Sequence, residues 1–183
     1  MIIFDIETNG LNPTKIHCLS YTEPKTLDVK TLFDYDEMRS LLSKQSHITG
    51  HNIIRYDVPV LERLLGIELN CSYYDTLPMS WVINTDRPKH GLASFGEDFE
   101  IPKPVIDDWK GLTQEEYAHR CEEDVKINYH LWQDLIFKFR RVYEQDKRLL
   151  DKYLQYLTYK MQCAAAAEQQ GWRLDVDLAE KCV

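Results

Sequence analysis

The chain lacks a C-x-x-C pair, an internal repeat, a low-complexity linker and any run approaching the roughly 20 apolar residues of a membrane-spanning helix. Its five cysteines, Cys18, Cys71, Cys121, Cys163 and Cys182, are odd in number and scattered, which speaks against a disulfide framework or a zinc site and predicts reduced thiols. An apolar run starts directly after Met1, leaving no room for the charged and apolar regions of a secretory leader, so a cytoplasmic protein with no membrane partner is expected. Positive charge is also scarce: 22 Lys and Arg stand against 30 Asp and Glu, a formal charge of −8. That disfavours a basic nucleic-acid coat protein, whose affinity comes from neutralising phosphates. It does not exclude chemistry on phosphodiesters, because a carboxylate-lined site accepts a polyanion once metal ions supply the charge.

With 183 residues, 44% of them hydrophobic, the chain suits one globular domain with a short appendage. Strands are predicted at the start, at Ile16–Thr22, at Leu27–Phe33, at Ile48–Asn52 and at Cys71–Asp75. Between them, Asp34–Ser46 has Met38, Leu41 and Leu42 at helical spacing, and Pro59 opens a helix that Gly66 stops. Asp75-Thr76 caps a helix over Leu77–Asn84. The segment Asp86–Trp109 reads as an irregular surface excursion with one short helix near Leu92–Phe95. Thr113-Gln114-Glu115-Glu116 is a capping box that begins a long helix reaching Val142, and a second runs from about Leu149 to Gln170 before Gly171. Strands followed by alternating and then purely helical elements imply an α/β fold: a mixed sheet flanked by helices, with a C-terminal helical extension.

The chemistry is concentrated in acids. In the first strand, Ile2-Ile3-Phe4-Asp5-Ile6-Glu7-Thr8, residues two apart share a face, so Asp5 and Glu7 point one way and Phe4 and Ile6 the other. Two like charges held together suit a hard divalent cation between them; an edge strand with solvated acids is the ordinary alternative. Asp57 lies where a strand gives way to a helix, and could equally serve as a helix cap. Asp124, flanked by Glu122 and Glu123, stands on the long helix, where acids are usually solvated surface.

Taken in order, these pieces resemble the DEDD 3′–5′ exonucleases on the RNase H-like fold, and within them the proofreading domain of phage-type family A DNA polymerases. Asp5-Ile6-Glu7 with Thr8 resembles the first motif, Asn52 to Tyr56-Asp57 the second, and Asp124 the third. Asp75-Thr76 and His90-Gly91-Leu92-Ala93-Ser94-Phe95-Gly96 are similar to further stretches of such phage enzymes. Met161–Asp175 resembles the passage into a polymerase domain. The resemblance implies an exonuclease domain over 1–145 and a helical linker over 146–183 leading to a covalently attached polymerase, in the host cytoplasm if the protein is phage-encoded.

It further implies two ions, Mg²⁺ or Mn²⁺, held by Asp5, Glu7, Asp57 and Asp124, hydrolysing nucleotides from 3′ ends of single-stranded DNA. Thr8, Leu11, Asn52 and Tyr56 would face substrate, with Leu11 wedging between terminal bases. The family's base is a tyrosine four residues before the last aspartate or a histidine five before it. Arg120 stands at the first position and His119 at the second, so His119 is the expected base. On a regular helix, residues five apart lie ~140° around the axis, so His119 would need a kink to reach Asp124. An RNA-trimming exonuclease of the same fold and a non-catalytic single-strand-binding scaffold are the competing readings.

Overall fold

The computed structural model describes residues 1–104, 111–143, 146–171 and 175–181. Strand β1 (Ile2–Thr8) lies at the centre of a five-stranded sheet. It pairs antiparallel with β2 (Ile16–Thr22), which carries β3 (Lys30–Leu32) at the outer edge. On its other side it pairs parallel with β4 (His47–Gly50), which pairs parallel with β5 (Ser72–Asp75). The order is β3-β2-β1-β4-β5, the mixed sheet expected for an RNase H-like α/β fold.

Strand periodicity divides the core in two. Ile2, Phe4 and Ile6 pack on one side with Met38 and Leu42 of α1 (Tyr35–Leu42) and Val58, Leu61 and Leu65 of α2 (Asp57–Leu65). Ile3 faces the other side, against Ile127, Leu131 and Leu135 of α5 (Gln114–Val142). Met79 of α3 (Thr76–Ile83), Phe95 of α4 (Leu92–Asp98) and Leu150, Leu154 and Leu157 of α6 (Lys147–Gln170) complete that second core. Asp5 and Glu7 continue the face of Ile3 and therefore point toward α5.

Several boundaries differ from expectation for identifiable reasons. β3 keeps three residues of the predicted Leu27–Phe33, because Leu27 and Phe33 are exposed and Thr22 Oγ1 instead bonds the carbonyls of Thr26 and Asp28. α2 starts at Asp57, two residues before Pro59, and ends as expected at Gly66, whose φ of 66° suits a residue without Cβ. α4 extends to Asp98. α6 begins at Lys147 because the Asp146 side chain accepts from the amides of Arg148 and Leu149. The capping box of Thr113 and Glu116 forms with both of its bonds.

α6 lies on the sheet: Thr158 Oγ1 donates to the Tyr73 carbonyl at 2.8 Å, and Glu168 pairs with Arg55. A short α7 (Val176–Lys181) follows. The expected domain boundary at 145/146 abuts residues 144–145, and the polymerase-like tail pattern includes residues 172–174; both stretches lie outside the described residues, as does the end of the predicted excursion at 105–110. No helix among the described residues is long and apolar enough to cross a membrane.

Candidate active site

Three of the four acids converge. Carboxylate oxygens of Asp5 and Glu7 on β1 and of Asp124 on α5 lie within 4.8 Å of one another. Asp124 arrives there because it sits on the core-facing stripe of α5 with Tyr117, Cys121, Asn128 and Leu131. Glu122 and Glu123 point elsewhere, as their helical angle requires: Glu122 accepts from Thr31 Oγ1 at 2.6 Å and Glu123 from Lys126 Nζ at 2.7 Å. Asp57, only 4% exposed, is the first residue of α2 and joins the group electrostatically, since it raises the pKa of Asp5.

The turn before Asp57 is a tight construction. A Cβ at Gly50 would lie 2.1 Å from Ile53 Cγ2 and 3.1 Å from the Phe4 carbonyl, so β4 can close on β1 only with glycine there. Asn52 adopts a left-handed φ of 64°, a conformation asparagine tolerates better than most residues. Asp75 holds the turn, its carboxylate accepting from the amides of Asn52 at 2.7 Å, Ile54 at 3.3 Å and Leu77 at 3.0 Å. Thr76 Oγ1 adds a 2.8 Å bond to Asn128 Oδ1 and a 2.9 Å contact to His51 Nδ1, joining β4, α3 and α5. Burial pushes the His51 imidazole down to about 4, so it is a neutral structural group near pH 7.

Burial dominates the electrostatics of the acids. It holds Asp5 well above the ordinary carboxylate range, and the charges of Asp124, Asp57 and Glu7 push it the same way. Glu7 is raised to about 7, against the pull of Arg120, and Asp57 to about 8, where burial and the Asp75 and Glu7 charges outweigh bonds to backbone amides. Asp124 is raised by burial despite Lys103. An oxygen-only donor set of clustered carboxylates suits Mg²⁺ or Mn²⁺. Asp124 Oδ1 supports the fit, being buried without a hydrogen-bond partner while its Oδ2 is engaged.

The expected base is not at this centre. α5 is regular from Gln114, and His119 on it has a 64% exposed side chain whose Nδ1 lies 3.9 Å from Glu123 Oε1. Without a kink, a residue five before Asp124 is carried round to the solvent side. Arg120 takes the inward position, its Nε 2.9 Å from Glu7 Oε1. Tyr117, inward on the same helix, stacks its ring on His17 with centroids 3.9 Å apart.

Of the expected substrate-side residues, Thr8 and Tyr56 meet: their hydroxyls are 2.6 Å apart and Tyr56 donates to the Gly10 carbonyl at 2.7 Å. This clamp shapes the loop that leaves Leu11 89% exposed at its tip. Asn52 Oδ1 is buried with no hydrogen-bond partner among the described residues. One charged residue went unread in the sequence. Lys103 Nζ lies 2.5 Å from Asp124 Oδ2, although its segment reads as surface excursion. The available signal was Pro102-Lys103-Pro104, since two flanking prolines hold a charged side chain on a restricted backbone.

No protein-family model and no curated protein matches the chain by sequence. Solved structures do match its fold. Brucella melitensis NrnC with bound Mg²⁺ superposes with a TM-score of 0.67 at 19% identity, over 93% of this chain and 86% of NrnC. NrnC bound to pGG gives 0.68 at 17% identity, over 93% and 85%. A structure described as the apo form of the nuclease gives 0.59 at 17% identity, again over 93% and 85%. At these identities the shared property is the architecture.

Proposed function

We propose that this chain is a divalent-cation-dependent 3′–5′ exonuclease. The observation that carries the reading is the convergence of Asp5, Glu7 and Asp124 within 4.8 Å beside buried Asp57, on a fold shared with NrnC. A scaffold would gain nothing from desolvating four acids against one another. These four carboxylates would hold the cation, Mg²⁺ or Mn²⁺. When bound, it supplies an ionised water as nucleophile and stabilises charge on the leaving 3′ oxygen.

The residues around it position and exclude. Arg120 neutralises and orients Glu7, and cannot accept a proton. Lys103 orients Asp124. Leu11 and the Thr8–Tyr56 clamp form a rim where a terminal base would unstack, a sequence-tolerant mode of binding. His119 stays outside this constellation, so the proton lost by the attacking water would pass to solvent rather than to this imidazole.

For substrate we favour single-stranded DNA, on the resemblance of the motifs to proofreading domains; an attached polymerase rests on the same resemblance. The bound pGG of NrnC favours a second reading, a nuclease of short oligonucleotides that trims RNA. End-labelled DNA and RNA oligomers of matched sequence, incubated with Mg²⁺ and with EDTA, separate the two. Degradation from the 3′ end that needs metal and is lost in Asp5→Asn/Glu7→Gln is expected. Equal degradation in EDTA would remove the proposal.

A further inference from the structure

We infer that the centre takes a single divalent cation, with the Lys103 ammonium standing in place of the second ion that the motifs imply. The inference rests on the metal-dependent reading above and concerns its stoichiometry. Asp5, Glu7, Asp57 and Asp124 carry four formal negative charges, which two divalent ions would balance. Two of those charges already have cationic partners: Lys103 Nζ at 2.5 Å from Asp124 Oδ2, and Arg120 Nε at 2.9 Å from Glu7 Oε1. One divalent ion then brings the group to the same balance. A second would leave excess positive charge in a site with little water to screen it.

The cationic side chains are built in. The segment carrying Lys103 is pinned before it, where the Ile101 amide donates to the Gly96 carbonyl at 2.9 Å. Contact is so close there that a Cβ on Gly96 would lie 2.6 Å from the Ile101 carbonyl oxygen. The segment is pinned after it as well, where Arg120 Nη1 donates to the Pro104 carbonyl at 3.0 Å. Arg120 thus neutralises Glu7 and holds the strap that delivers Lys103. The Lys103 side chain is 22% exposed, unlike a surface lysine that folds in from solvent.

The uncompensated charge lies elsewhere in the group. Among the described residues neither Asp5 nor Asp57 forms an ion pair, and Asp124 Oδ1 is free of hydrogen bonds. Asp5 shares a 4.8 Å cluster of carboxylate oxygens with Glu7 and Asp124, both of which have cationic partners, so the ion belongs on Asp5. An ammonium replaces the charge of a metal ion but not its ability to ionise water, so the one ion retained has the chemical task while Lys103 has an electrostatic one.

The test is a count. The metal-stripped chain is titrated with Mn²⁺, with bound ion read from the loss of the free-ion electron paramagnetic resonance signal and by calorimetry. Wild type should bind one ion, Lys103→Arg one, and Lys103→Met two. Two ions of similar affinity in wild type, or one in a folded Lys103→Met, would overturn the inference. Should Lys103→Met fail to fold by circular dichroism, the wild-type and Lys103→Arg counts decide. Two ions together with metal-dependent degradation would remove this inference and leave the exonuclease reading standing; no bound Mn²⁺ and no degradation would remove both.

Discussion

Asp57 and Asp75 are both buried aspartates at the ends of neighbouring elements, and they are treated oppositely. Asp75 accepts three backbone amides and ties the 52–54 turn to α3, which limits its rise to about 6 against the cost of burial. Asp57 is pushed to about 8, first by burial and then by the charges of Asp75 and Glu7, which outweigh its backbone hydrogen bonds. A buried carboxylate held mainly by backbone donors serves the fold, whereas one set beside like charges is where the proposed cation would be held.

The largest effect should come from emptying the hungry side of that contrast. Asp5→Asn with Glu7→Gln should cut oligomer degradation by ~10³-fold or more, the equivalent of several kcal/mol of lost metal-borne stabilisation. Its melting temperature in EDTA should stay level or rise, because buried repulsion is relieved. A double variant that degrades oligomers like wild type would break the assignment.

The two aspartates then separate in stability. Asp75→Ala should cost about 3 kcal/mol in urea unfolding, since buried amides of Asn52, Ile54 and Leu77 lose their acceptor. Asp57→Asn should cost nothing, or stabilise, in EDTA. Equal destabilisation by both would erase the distinction between them.

Acidity sharpens it. Glu7 and Asp57 have folded pKa values of about 7 and about 8, above their ordinary values of 4.5 and 3.8, so the folded chain holds more protons than the unfolded one between those limits. The stability that these two groups contribute without metal should therefore be full below about pH 4 and fall as pH rises toward about 8. Added Mg²⁺ should restore the melting temperature at pH 8, and Asp57→Asn should flatten the slope. A metal-free chain more stable at pH 8 than at pH 5 would contradict the cause assigned to these shifts.

Two smaller effects lie at the rim. His119→Ala should keep more than about a third of wild-type kcat, far from the ~10²-fold or greater loss of a general base. Leu11→Ala should leave the melting temperature unchanged, the site being 89% exposed, and raise KM by about threefold through weaker base contact.

Much of this was legible in the chain because it depends on local rules. Alternation along a strand put Asp5 and Glu7 on one face whatever packed against it, and caps at Asp75, Thr113 and Gly66 marked helix ends through bonds within a few residues. Helical angle likewise turned Glu122 and Glu123 away from Asp124. That His119 lies on the solvent side of α5, away from the acids, needed the structure, since only an unbroken helix determines which side is inward.

Lys103 is the clearest case beyond local reach. Its meeting with Asp124 joins residues 21 positions apart, and depends on Gly96 packing against Ile101 and on Arg120 catching the Pro104 carbonyl. Acid placement came from the backbone's own periodicity, which each residue carries with it. The cations that answer those acids came from packing between distant segments, where the same lysine read alone is only a charge on a surface loop.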